Sequence, residues 1–490
     1  MEGEYLINDR EPIEIYHFFE DISRIPRVSY HEKEISQYLV DFAEKRGLWY
    51  YRDEMYNVLI KKEGSKGDED KAPVLLEGHV DMVGEKIPGS AHDFLKDPIH
   101  LIVDGNILRA DGTTLGADNG CAVAIMLAVL ADDSLKHPPL ECLFTVQEEV
   151  GLYGAEGFDV NHIKARRVIG LDAGAEGVFR KGTTTKYLTE SALEVKREQI
   201  SGKVYRFYAD GLKGGDQGAG MPKERISAIQ MTARILHYLN KEADARIISV
   251  DKTGKSIPEN CECYFCLVSG NENQMMDIIR KQEKTIRQQY RESDPGFKVE
   301  IEEIIYLDKS RKFSGMLQKQ DSDCLIKALY LMPYGGYHRS VKRPEEVMLS
   351  VMAREIRSEE EAIEVFTRIS AEEKVGGQEL QEQLSTYLKS SGFKIIRSEV
   401  EEGWEWEEHS AIRDIMVQAY EEIFGRKPIV NISPGGNDCV VLKRKIPELD
   451  MVTTAATYVD YHTPNEHLYM DSFEKVYKLI VKTLEMLAEN

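Results

Sequence analysis

The chain has 490 residues, of which 42% are hydrophobic, 30% charged and 9% aromatic; this supplies apolar material for more than one core and excludes collagen-like and low-complexity classes. Eighty-five acids against 63 bases leave a formal net charge of −22, which disfavours a nucleic-acid backbone or an anionic membrane surface as partner. At roughly 100–200 residues per domain, two or three domains are expected.

The opening stretch, MEGEYLINDREPIEIYHFF, is rich in acids and lacks the basic-then-apolar order of a signal peptide. The longest apolar run, 121–131, is about half the ~20 residues that a membrane helix needs. Seven scattered cysteines make no disulfide framework. Cys263 and Cys266 form a lone CxxC on a strand, where the two thiols face opposite ways and no second pair completes a zinc site. A cytoplasmic location is expected.

In chain order, helical periodicity runs over 16–46 with Pro26 breaking it, followed by a short strand at 58–60 and a polar loop at 63–71. A strand from Val74, a helix over 119–132 and strands at 142–146 and 168–171 complete an alternation that predicts α/β structure with a largely parallel sheet. From about Thr183 the texture changes. Strands are expected at 192–200, 203–208, 261–269 and 347–354, with helices at 226–240, 273–294 and 359–373. This reads as an α+β module inserted into the first domain. After the acidic stretch 399–408, read as a solvated linker, the α/β texture returns with helices at 410–424 and 472–487 and strands at 428–432 and 451–454. The expected domains are 1–184 and 401–490 together, and 185–400 between them.

Polar residues follow the buried strands in a telling way. VLLEGHVDM places His79 and Asp81 two apart at a strand end, hence on one face. Glu148 and Glu149 follow a second strand, Asp172 a third and His462 a fourth, while Asp118 stands at the mouth of a helix. Open α/β sheets bind ligands beyond the carboxyl ends of their strands. Each residue alone has an ordinary alternative as a cap or turn residue, and Asp118 is a suitable N-cap. Together they form a mixed nitrogen and oxygen set. Its carboxylates need a compensating cation, and it suits one or two divalent metals such as zinc or manganese.

GHVDMV, GTTLGADNG, TVQEEVGLYGAEG, GLDAG, GLKGG and HTPNEH resemble the M20 metallopeptidases nearly end to end, in an order closest to the aminoacyl-histidine (Xaa-His) dipeptidase branch, also called peptidase D or cytosol nonspecific dipeptidase. The resemblance implies a di-metal catalytic domain and an inserted lid domain that often mediates dimerisation. It implies that His79, Asp118 and Asp172 hold one metal and Asp118, Glu149 and His462 the other, with zinc the expected ion and manganese or cobalt the alternatives. Asp81 would orient His79, Glu148 would be the general base, and a cis peptide would follow Asp118.

Where the branch has GLKGGHSG this chain has GLKGGDQG, so the lid histidine is Asp216, and the asparagine expected before Ile257 is Ser256. SPGGNDC replaces a HAGLECG segment and is similar to the GGTD loop of other M20 branches, which brings in Gly435, Gly436 and Asn437, with Asp438 beside them. Arg357 matches an arginine used for a substrate carboxylate. The resulting expectation is an enzyme that hydrolyses the amide bond of a dipeptide or N-acyl amino acid with metal-activated water. The alternatives are an ordinary broad Xaa-His type dipeptidase and a metal-binding homologue without turnover. The expected partners are a small peptide-like substrate and a second copy of the chain, with no nucleic acid and no membrane.

Overall fold

Six consecutive buried residues, Val74–His79, form the centre of the main sheet. A strand buried on both faces reads as a continuous apolar run, which is why periodicity is absent there. The computed structural model describes residues 5–172, 175–304 and 315–489. The last two residues of GLDAG lie outside the described residues.

The chain divides into two compact units, Met1–Thr183 with Trp406–Asn490, and Thr184–Glu405. In the first, an eight-stranded sheet runs in the order Trp49–Arg52, Val58–Lys62, Leu140–Thr145, Val74–His79, Arg167–Gly170, Asp450–Thr453, Val178–Thr183, Ile429–Ser433. The four strands from Leu140–Thr145 to Asp450–Thr453 are mutually parallel, so their carboxyl ends open on one side. The helix Ala117–Ala131 packs on this sheet and is buried along nearly its whole length, which explains its unbroken apolar sequence. Gly78 permits that approach: a Cβ there would lie 2.5 Å from the Ala122 Cβ. A smaller antiparallel sheet joins Leu101–Asp104, Ile107–Ala110, His467–Tyr469 and Tyr458–Val459.

The second unit holds two antiparallel sheets of four and five strands and a two-stranded ribbon, with the helices Ala228–Leu239, Glu272–Gln289, Lys319–Leu331 and Lys374–Ser390. Each unit has its own apolar core. Cys263 and Cys266 fall in different clusters on opposite faces of the strand Cys261–Ser269, and all seven cysteines are free.

Three local expectations are corrected. Residues 359–373 are not a helix: Ala362–Ala371 is a strand whose odd-numbered residues from Ile363 to Ala371 are buried. The expected strand over 192–200 is two, Thr185–Glu194 in the five-stranded sheet and Arg197–Gln199 in the ribbon. The acidic stretch begins inside an edge strand, Lys394–Glu401, with Trp404 buried just beyond it. Among the described residues no helix is long and apolar enough to cross a membrane.

Candidate metal centre

The parallel strands deliver their terminal residues to one place. His79 ends Val74–His79 and is hydrogen-bonded in register opposite Thr145, the last residue of the neighbouring strand. Two residues on, Asp81 is wholly buried. The His79 Nδ1 lies 3.1 Å from the Asp81 carbonyl oxygen and 3.4 Å from its carboxylate. That carboxylate also accepts from the Ser29 hydroxyl at 2.8 Å and from the backbone N–H groups of Glu148 and Glu149 at 3.1 and 3.3 Å. One side chain thus sets the ring of His79 and the turn that carries both glutamates. Burial opposes ionisation of Asp81, but the hydrogen bond and charge of His79, with Ser29 and the Glu148 amide, hold it below the usual carboxylate range.

Asp118 stands between two histidines. Its Oδ1 is 3.3 Å from His79 Nε2 and its Oδ2 is 3.5 Å from His462 Nε2, while the Tyr458 hydroxyl donates to Oδ1 at 3.3 Å. The Asp118–Asn119 peptide is cis, and neither residue has helical backbone angles. His462 Nε2 lies 2.8 Å from Glu149 Oε1. Hydrogen bonds to Asp118 and then Glu149 raise the His462 pKa to about 10, against the opposing effect of burial. At His79 burial likewise opposes protonation and is outweighed by Asp118 and Asp81.

Among the described residues, three groups of side chains could hold a cation. His79, Asp118 and Asp172 form one and Asp118, Glu149 and His462 a second, with the ligating atoms of each within 4.8 Å of one another and Asp118 common to both. His79, Glu148 and Glu149 form a third such group. Three nitrogen and oxygen donors per position, with no thiolate, fit zinc or manganese with room for water or substrate. Glu148 is raised well above the ordinary carboxyl range, first by burial and then by Asp172, Asp438 and Glu149, with His79 pulling the other way.

The remaining expected site residues separate by unit. Gly435 and Gly436 form an exposed turn before the short helix Asp438–Lys445. Asn437 turns inward, and its amide donates to the Asp172 carbonyl at 2.6 Å. Asp216 and Arg357 belong to the other unit. Asp216 caps a one-turn helix through the Gly218 N–H at 2.7 Å and lies 3.5 Å from Arg368. Arg357 pairs with Glu355 and stacks over Phe366 at 4.8 Å.

A buried layer beneath this set holds Glu77, which sequence reading missed, and Asp438, which it named only as part of the SPGGNDC loop. Glu77 accepts from the Cys439 thiol at 3.3 Å, and Asp438 accepts from the Thr145 hydroxyl at 2.5 Å. Burial, and then neighbouring Asp438 and Asp172, push Glu77 up; burial raises Asp438 to about 7. The available signal was a glutamate inside the apolar run VLLEGH, on the same strand face as His79.

The family model for Peptidase family M20/M25/M40 matches residues 75–486. The chain belongs to this family. It is 28% identical over 483 residues to the cytosol non-specific dipeptidase of Escherichia coli K12, with 98% of each chain covered. The crystal structure of aminoacylhistidine dipeptidase from Vibrio alginolyticus superposes with a TM-score of 0.88 at 28% identity, covering 99% of this chain and 98% of that one. A tripeptidase from Staphylococcus aureus shares the fold, with a TM-score of 0.58 at 16% identity and coverage of 98% and 99%.

Proposed function

We propose that this chain hydrolyses the amide bond of a dipeptide or a dipeptide-like N-acyl amino acid at a two-metal centre. His79, Asp118 and Asp172 would hold one divalent ion and Asp118, Glu149 and His462 the other, with zinc as the first candidate and manganese or cobalt as alternatives. The observation that carries this reading is Asp118, shared by two donor groups. Family membership and the full-length likeness to a dipeptidase support it.

Bound there, the two cations would acidify water and polarise the scissile carbonyl. The protein's own residues do the rest. Glu148 takes the proton of the attacking water and returns it to the departing amine, a role helped by a pKa drawn upward from the usual carboxylate value. Asp81 fixes the ring of His79 through Nδ1, leaving Nε2 for the cation. Arg357 is assigned to the substrate carboxylate, and Gly435, Gly436 and Asn437 to the substrate side of the first unit. Asp216 would face a cationic group of the substrate; Asp216→His is then expected to raise kcat/KM on neutral dipeptides and lower it on amine-bearing ones. A cytoplasmic location and a homodimer formed through 184–405 complete the proposal.

The test is hydrolysis of a mixed dipeptide pool followed by mass spectrometry, with zinc, manganese or cobalt supplied. Glu148→Ala should keep its metal and lose turnover by about 10²–10⁴-fold, the usual worth of a general base. Failure of every metal form to cleave any member, or an active Glu148→Ala, would overturn the proposal. Metal uptake without cleavage would favour a binding protein instead.

A further inference from the structure

Three chain segments that carry the proposed ligands meet around two buried charged side chains, Glu466 and Arg27, that the sequence motifs did not explain. Glu466, in HTPNEH, is 2% exposed. Its Oε2 accepts from the backbone N–H groups of Leu115 and Gly116 at 2.8 and 3.0 Å, and its Oε1 from those of Ala117 and Asp118 at 2.9 and 3.3 Å. A single carboxylate therefore takes four successive amides, ending on that of Asp118.

Arg27 works the same turn through its carbonyls. Also 2% exposed, it donates from Nη2 to the Gly116 carbonyl at 2.6 Å and from Nη1 to the Val80 carbonyl at 2.8 Å. Val80 lies between His79 and Asp81. Gly116 and Gly120 leave room for the guanidinium: a Cβ at either would come within 2.5 and 2.8 Å of Nη2. Burial lowers the Arg27 pKa to about 10, and Glu466 leads the charges that hold it up. The spacing of glycines in GTTLGADNG thus follows from an arginine nearly ninety residues upstream.

We infer that Glu466 and Arg27 are positioning residues that fix the His79, Asp118 and His462 segments relative to one another and so set the geometry of both cation positions. The carboxylate gathers the amides of the Asp118 turn to the loop that carries His462, four residues before it. The guanidinium ties the same turn to the strand end that carries His79. Among the described residues, neither side chain belongs to a group that could ligate a cation.

The inference rests on the two-metal reading, and cobalt binding separates the two. Wild type, Glu466→Gln and Glu466→Asp would be titrated with Co²⁺ while the visible absorption of the bound ion is recorded. Gln keeps the size of Glu but turns an NH₂ donor toward two N–H donors; Asp keeps both acceptor oxygens on a shorter arm. Glu466→Gln should bind cobalt about 10–100-fold more weakly, the usual cost of losing a group that orients ligands, with a shifted spectrum. Glu466→Asp should recover part of both. Should Glu466→Gln fail to fold, Arg27→Lys carries the same expectation, since one ammonium cannot span the Val80 and Gly116 carbonyls in the guanidinium's geometry. Folded variants with wild-type cobalt affinity and spectrum would overturn the inference and leave the two-metal reading standing. A wild type that takes up no cobalt would overturn both.

Discussion

Glu148 and Glu149 are adjacent in sequence but meet different surroundings. Glu149 reaches His462 at 2.8 Å, while Glu148 is driven toward its protonated form by burial and by Asp172, Asp438 and Glu149 itself. Asp118 differs from both in joining the group of His79 and Asp172 to that of Glu149 and His462. Asp118→Ala should therefore lower metal content at both positions, whereas Glu149→Ala should empty mainly one; elemental analysis of the purified variants distinguishes them. Full metal content in Asp118→Ala would remove the bridge from the proposal. A second test concerns Glu32, whose carboxylate accepts from the Tyr30 and Gln147 amides at 3.0 and 3.1 Å. Burial, and then Asp81, raise its pKa from 4.5 to about 7. Between those values the folded protein holds a proton that the unfolded chain has released, so this group's contribution to stability falls as pH rises from 4.5 to 7. The slope for one group is at most about 1.4 kcal/mol per pH unit. Glu32→Gln can keep both amide hydrogen bonds through its carbonyl oxygen and should flatten that slope. Urea midpoints of the two proteins across this window are the measurement, and parallel curves would show that Glu32 does not titrate there.

At the scale of elements, the close approach of the helix Ala117–Ala131 to the strand Val74–His79 depends on Gly78. Gly78→Ala must separate two buried elements that both lead into the centre. A loss of about 1–3 kcal/mol, typical of overpacking, should come with lowered metal content, measured by unfolding and elemental analysis. Unchanged values would mean that the helix can shift without disturbing Asp118. The same strand shows why part of the molecule was legible in sequence. In a parallel sheet the apolar runs are continuous and end abruptly, so His79, Glu148–Glu149 and Asp172 mark their own strand ends. The strand Ala362–Ala371 gave no such mark. Phe366 interrupts its alternation from the outer face, where the Arg354 and Arg357 guanidiniums lie over its ring at 5.8 and 4.8 Å. With Ile363 and Ile369 it imitates the three-residue spacing of a helix, and the flanking glutamates strengthen that impression. Glu466 and Arg27 were illegible for another reason. Their partners are backbone amides and carbonyls, which leave no residue-type signature beyond glycines at close approach.

At the scale of the whole molecule, the two units have separate cores. One is built from residues such as Phe19, Phe144 and Phe473, the other from Phe207, Phe265 and Ile356. All five proposed ligands lie in the first unit; Asp216 and Arg357 lie in the second. The second unit is a continuous stretch, 184–405, with two antiparallel sheets and helices packed on them, and a core of its own is the requirement for independent folding. Expressed alone, 184–405 should unfold cooperatively, and if it carries the dimer contact it should migrate as a dimer. The first unit, made by joining 183 to 406 through a short Gly/Ser linker, should bind cobalt at both positions with close to full-length affinity, because the Arg27 and Glu466 contacts are internal to it. If Asp216 and Arg357 orient the substrate as proposed, it should hydrolyse dipeptides at least about 10²-fold more slowly, the usual cost of losing such groups. Cobalt titration and dipeptide turnover of this joined unit are read together. Loss of cobalt binding in a folded joined unit would mean that the first unit does not complete the metal centre. Full turnover without 184–405 would remove Asp216 and Arg357 from substrate recognition.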